Sequence, residues 1–148
     1  MKLRLHVDDF PLTGYTNIRV TPEKALEIDK IDFYVDRGEA EEIIVEGVID
    51  YIRISQVESV IKLWSSLIQK QGRLVIVGTD IQEVSKALGN YNINVPDANQ
   101  LLYGDTDFPK RVCFSAAHLS SFLKEKCGLK LLKKRVNGYT YMVEAQRK

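Results

Sequence analysis

The chain has 148 residues, 45% of them hydrophobic, a size and apolar content that suit one domain with a core of its own and no need of metals or disulfides. Its apolar runs are only a few residues long, which excludes a membrane-crossing helix, and the opening MKLRLHVDD lacks the apolar core and cleavage site of a secretory signal, so the expectation is an unprocessed cytoplasmic protein. The formal net charge of +1 hides an asymmetry, because residues 21–60 carry eleven acids against four bases and residues 110–148 carry ten bases against two acids.

Residues 2–7 (KLRLHV) alternate apolar and polar side chains and predict a strand; the Pro-Leu-Thr-Gly turn at 11–14 leads to a second strand over 16–20. Further strands are predicted over 31–35, 42–45 and 73–77, the last two rich in Ile and Val as in strands covered on both faces of a parallel sheet. Between them Val57, Val60, Ile61, Trp64, Leu67 and Ile68 recur at steps of three and four, which predicts a helix with one apolar stripe. Ser55 and Glu58 have capping-box spacing, and Gly72 is expected to end the helix. Strand, helix, strand is a βαβ crossover, so the Trp64 face is expected in the core.

Helices are predicted over 81–89 and 116–127, the second sharing Leu119, Phe122 and Leu123 on one face with Gly128 as its stop. The polar stretch 90–111 between them is expected to be irregular, and Tyr103, Phe108 and Phe114 to lie buried beneath it, or else to cap a ligand or anchor a partner. Residues 129–136 and 139–145, joined at Asn137-Gly138, predict an antiparallel hairpin. Cys113 and Cys127 are too few for a zinc set and sit beside apolar neighbours, as reduced packing thiols do.

A doubly wound, mostly parallel α/β sheet finished by an antiparallel hairpin resembles the seven-stranded fold of class I S-adenosylmethionine-dependent methyltransferases, and several motifs resemble short members whose first helix is reduced or missing. Lys2-Leu3-Arg4-Leu5-His6-Val7-Asp8, then Gly14-Tyr15 and Asn17-Ile18-Arg19, stand where such proteins have Lys-Leu-x-Leu-Gly-x-Gly, Gly-aromatic and Asn-Ile-Asp. Glu41-Glu42-Ile43-Ile44 with Val48-Ile49-Asp50-Tyr51, the run Lys70-Gln71-Gly72-Arg73-Leu74-Val75-Ile76, and Leu102-Tyr103-Gly104 continue the likeness to the C-terminal hairpin. It covers nearly the whole chain as a single methyltransferase-like domain.

The resemblance implies a cofactor turn of glycines after the first strand and an acid closing the second strand to hold the ribose hydroxyls. Here His6 and Asp8 replace the glycines and Arg19 replaces the acid; arginine has donors and no acceptor lone pair. The expectation is therefore a domain with no cofactor, which has lost S-adenosylmethionine binding and acts as a non-catalytic binding or structural module, a pseudoenzyme with a protein partner. Two alternatives stand beside it. One is a divergent active methyltransferase in which Asp36 or Glu46, expected at the carboxyl ends of their strands, takes over cofactor contacts. The other binds a nucleotide or nucleic acid through Arg19 and a basic segment containing Lys130, Lys133, Lys134 and Arg135.

The candidate ligand-facing residues are thus His6, Asp8, Arg19, Asp36 and Glu46, each with a structural reading of its own. His6 suits a hydrogen-bonded histidine at a strand end, since no motif sets a nucleophile beside it. Asp8-Asp9 suits a turn stabilised by aspartate side chains rather than a metal site, His118 being the one other histidine. Arg19 suits a salt bridge to Asp8, Asp9 or Asp36, and the basic segment suits the lysine-guarded edge of a sheet.

Overall fold

Alternating side chains at the two ends of the chain and a 3.6-residue apolar period between them produce a mixed sheet backed by helices. The computed structural model describes residues 1–21 and 35–148; the strand expected over 31–35 lies almost wholly outside them. The elements are β1 (Lys2–His6), β2 (Thr16–Arg19), β3 (Ala40–Glu46), α1 (Ile54–Leu67), β4 (Ile68–Thr79), α2 (Ile81–Gly89), α3 (Val95–Tyr103), α4 (Ala116–Glu125), β5 (Lys130–Asn137) and β6 (Thr140–Gln146). Six strands, against the expected seven, lie among the described residues in the order β2-β1-β3-β4-β6-β5. The first four are parallel, and β6 and β5 close the sheet antiparallel. Between β1 and β2 runs a loop with no helix, braced where Asn17 Oδ1 accepts from Leu12 N at 2.9 Å.

The register divides the sheet into two unlike faces. Leu3 and Leu5, Ile43 and Val45, Leu74 and Ile76, and Val143 and Ala145 pair across adjacent strands and are all buried. Onto this face pack Val57, Val60, Ile61 and Trp64 of α1 and Leu119 and Leu123 of α4, each large side chain contributing roughly 1.5–3 kcal/mol by leaving water. The opposite face carries Lys2, Arg4 and His6, Glu42, Ile44 and Glu46, Arg73, Val75 and Val77, and Met142, Glu144 and Gln146. Ile44, Val75 and Val77 are half-buried there rather than fully covered, because a ladder of ion pairs occupies this face: Arg73 bonds Glu42, and its Nη1 donates to Glu144 Oε1 at 3.0 Å.

Several local expectations change. Helix α1 begins at Ile54 with Arg53 as its N-cap and no side-chain cap, so Ser55 already lies inside the first turn and the capping box does not form. Burial of Ile52 and Val57 on either side sets the entry. The helix does not end at Gly72: it passes directly into β4 at Ile68, and its last carbonyls find tertiary donors instead. Gly38 N donates to Ser66 O at 3.0 Å, and Arg147 Nη1 to Ile68 O at 2.6 Å.

Gly72 serves a different purpose, because a Cβ there would stand 2.9 Å from both Ala40 O and Gln69 O where the β3–β4 register shifts. The stretch expected to be irregular holds α3, opened by a capping box between Asn94 and Asp97. In the hairpin Asn137 pairs with Thr140, so the turn is Gly138-Tyr139, with Gly138 at φ 61° in the first central position as a type II′ turn requires. Gly128, at φ 65°, does follow α4 as its stop.

At the end of β4 the Asp80 carboxylate joins two helices: Oδ1 accepts from Gln82 N and Glu83 N of α2, and Oδ2 from Ala116 N of α4 at 3.0 Å. No helix among the described residues is long and apolar enough to cross a membrane.

Candidate functional site at the carboxyl ends of β1 and β3

Strand order reverses at β1, with β2 on one side and β3 on the other, and the crevice beyond the carboxyl ends of such a pair is where open α/β sheets bind ligands. Three sequence candidates converge here. His6 ends β1, Glu46 pairs with it at the end of β3, and Asp8 stands in the loop that follows β1.

A residue outside the candidate set holds them together. Period-two alternation puts Arg4 on the same face as His6, and its guanidinium is almost completely buried, with 7% of the side chain exposed. It bonds Glu46 twice, from Nε to Oε1 at 3.1 Å and from Nη2 to Oε2 at 3.0 Å. Nη2 also donates to Asp8 Oδ2 at 3.1 Å, and Nη1 to the carbonyl of Phe10 at 2.6 Å. The Glu46 hydrogen bond is the main reason that the Arg4 pKa is raised.

The loop after β1 is folded back onto this cation. Asp8 Oδ1 accepts from Phe10 N at 2.8 Å, a tight aspartate turn, and that bond first and Arg4 next hold the Asp8 carboxyl below its usual range. His6 is buried, with Nδ1 3.0 Å from the Asp8 carbonyl. Arg19, at the end of β2, is half exposed and pairs with Asp9 at 2.7 Å. Asp36 is elsewhere: it is exposed and lies two residues before Gly38, whose amide meets the carboxyl end of α1 beside the amino end of β3. The expectation that Asp36 closes a strand at the crevice is corrected, since the chain from 35 to 39 turns beside the amino end of β3, at the opposite end of the strands.

A second polar cluster, missed in the sequence, lies beyond β3 and β4. Asp50, 3% exposed, accepts from Thr79 N at 3.2 Å and Thr79 Oγ1 at 2.9 Å, and faces Lys110 Nζ at 3.6 Å. Lys110 Nζ also donates to Thr79 Oγ1 and Leu101 O, both at 3.0 Å. Burial holds the Asp50 carboxyl above its usual range against the pull of Lys110. The Asp50 carbonyl accepts from Arg111 N at 2.7 Å, and Tyr51 stacks on Phe108 at 3.9 Å, so this cluster pins the strap 104–112 to the sheet. The nearby hydroxyl of Tyr141 is buried without a hydrogen-bond partner among the described residues. Phe108 and Phe114, expected buried, are half-buried, and Tyr103 is 62% exposed at the outer end of α3.

The four basic candidates lie far from the crevice, on the edge strand β5. Register places Lys130, Lys133 and Arg135 on the charged face of the sheet, opposite Gln146, Glu144 and Met142, and Lys134 on the helix-bearing face opposite Val143. Among the described residues no three His, Cys, Asp or Glu side chains gather as a metal-binding set.

This architecture is the class I S-adenosylmethionine-dependent methyltransferase fold. A methyltransferase of this kind from Methanosarcina mazei matches it with a TM-score of 0.60 over 99% of this chain and 82% of its own, at 12% identity. One from Mesorhizobium loti matches at 0.57 over 97% of this chain and 78% of its own, at 12% identity. The magnesium protoporphyrin IX methyltransferase of Synechocystis, with bound S-adenosylhomocysteine, matches at 0.55 and 14% identity over 90% of this chain. The present chain spans about half of that protein, 52%, and about a third, 36%, of an O-methyltransferase family protein from Burkholderia thailandensis matched at 0.54 and 15% identity over 90% of this chain. No protein-family profile and no curated protein sequence matches this one. At these identities the likeness is one of fold.

Proposed function

We propose that this chain is a methyltransferase-like domain that no longer binds S-adenosylmethionine and serves as a non-catalytic binding or structural module in the cytoplasm. The observation that carries this reading is the Arg4 guanidinium, buried at the switch point and bonded to Glu46, Asp8 and the Phe10 carbonyl. A cofactor seated there needs a backbone it can approach closely and an acceptor for its ribose. Instead, the loop is drawn down onto a side chain from within the sheet, and Arg19, already paired with Asp9, offers only donors.

The competing reading, a divergent enzyme, relied on Asp36 or Glu46 to supply the missing acceptor. Asp36 lies at the other end of β3, and both Glu46 carboxylate oxygens are engaged by Arg4. The two unbridged cysteines suit a reducing compartment.

The test is calorimetry and thermal denaturation with S-adenosylhomocysteine. The expected result is no saturable heat and no rise in Tm at about millimolar ligand, a concentration at which a ligand of micromolar Kd would stabilise the fold by roughly 4 kcal/mol. A saturable isotherm would overturn the proposal.

A further inference from the structure

The structure assigns a nucleic-acid backbone to the cationic row on β5. By simple alternation Lys130 would point away from Lys133 and Arg135, giving the edge mixed faces. The register shift between Leu131 and Lys133 inserts one residue, and the pairs Lys130–Gln146, Lys133–Glu144 and Arg135–Met142 then bring all three cations onto one face. A bulge that re-aims side chains in this way is a positional device. With a rise of about 3.4 Å per residue, it sets the three charges roughly 7 Å apart in a line along the edge.

Among the described residues little opposes them. Glu144, the acid beneath the row, is 6% exposed; it is bonded to Arg73 and also lies 4.0 Å from Lys133 Nζ, so a single buried acid meets the row from below. Lys130, Lys133 and Arg135 are all exposed.

The chemistry of the patch selects its occupant. Protein interfaces are centred on aromatic or large apolar anchors that fill pockets, and the row itself offers lysine, lysine and arginine. Evenly spaced cations without such an anchor suit a phosphodiester backbone, whose binding is driven by release of condensed counterions and needs no base contact. The surface is separate from the β1–β3 crevice, so duplex binding and S-adenosylhomocysteine binding succeed or fail independently.

The experiment measures anisotropy of a fluorescein-labelled DNA duplex of about two helical turns, titrated with the full chain between about 50 and 200 mM salt. Three phosphate contacts predict a slope of log K against log salt of about −3. Replacing Lys130, Lys133 and Arg135 together by Gln should weaken binding at least about tenfold and remove most of that slope, roughly one unit per contact. The double variant Lys130→Gln/Arg135→Gln, which keeps the Lys133–Glu144 pair, should remove about two units. Lys124→Gln/Lys126→Gln/Lys134→Gln, the same change of net charge on the helix side, should retain the slope. Absence of duplex binding at low salt, equal losses in the two triple variants, or tighter binding of poly-L-glutamate than of the duplex would each overturn the assignment.

Discussion

Arg4 and Glu46 meet across two parallel strands with both carboxylate oxygens engaged, at 3.1 and 3.0 Å, and the same guanidinium reaches Asp8 and the Phe10 carbonyl. The pair ties the ends of β1 and β3 together and fixes the loop between them and β2. Replacing Arg4 by Met should therefore lower stability by about 1–3 kcal/mol, discounted because Glu46 and Asp8 are partly exposed. Urea denaturation measures the loss, and hydrogen exchange at the Phe10 amide should quicken beyond the global change. Arg4→Lys should recover less than half, since an ammonium cannot span both carboxylates as a planar fork does. An unchanged midpoint in Arg4→Met would rule the network out as the clamp on this loop.

Lys110 compensates a carboxylate that is almost wholly out of water, with Asp50 3% exposed. Lys110→Met leaves that charge without its ionic partner and should cost about 3–5 kcal/mol. Adding Asp50→Asn to it should be less harmful than the sum of the two single changes, with a coupling of about 0.5–3 kcal/mol in a double-mutant cycle. Strict additivity would mean that the two side chains do not interact.

The Cys113 thiol donates to the Thr79 carbonyl at 3.2 Å and is pushed up to about 12, first by burial and then by Asp50. A raised folded pKa binds the proton more tightly than the unfolded chain does. The stabilisation from this group is therefore full below the unfolded value near 9 and is lost as pH rises through 12. At pH 8 the native thiolate population should be roughly a thousandfold below that of a free cysteine. Native Cys113 should thus react far more slowly with a disulfide reagent than the unfolded chain, as a Cys127→Ser background would isolate; equal rates would contradict the burial.

Two glycines separate close approach from mere flexibility. Gly72→Ala drives a methyl against the Ala40 and Gln69 carbonyls, each 2.9 Å away, and should cost about 1–3 kcal/mol. Gly89, in the last turn of α2, has nothing within 4 Å of an added Cβ, so Gly89→Ala should stabilise by about 0.5–1 kcal/mol. Thermal unfolding of the two variants should shift in opposite directions.

Most of the architecture was legible from periodicity alone. The Val57-to-Ile68 stripe located α1, the Asn137–Gly138 neighbourhood located the hairpin, and the opening alternation located β1. What failed was local and had tertiary causes. Gly72 resembled a helix stop, but Gly38 and Arg147, distant in sequence, supply the donors that end α1. Helix α3 was missed although Asn94, Pro96 and Asp97 announced it, because a polar run between Asn90 and Arg111 reads as loop when its caps are ignored.

The candidate site was legible in part for the same reason. His6, Asp8 and Glu46 do converge, and Arg19 does find one of its three expected acids. Arg4 was visible as a cation between Leu3 and Leu5, on the face of His6, and that parity was the available clue. Asp36 failed because the segment that carries it leads into the amino end of β3, where Gly38 N meets Ser66 O, and not into the crevice. The bulge on β5 leaves no mark in a run of leucines and lysines, so only pairing with β6 reveals that three charges share a face.

Asp80 has a consequence for what this fold can become. The chain departs for α2 and comes back for α4 at a single carboxylate, and Ile81 N reaches Phe114 O at 2.8 Å where it leaves. The stretch from Gln82 to Tyr103 is therefore a bight held at its neck, by Asp80 and by the strap 104–112 that Asp50 pins to the sheet. Lengthening or trimming its tip changes closure entropy only logarithmically, so a graft there would leave the sheet unaware of it, and new recognition can be added at the rim without asking the core to move.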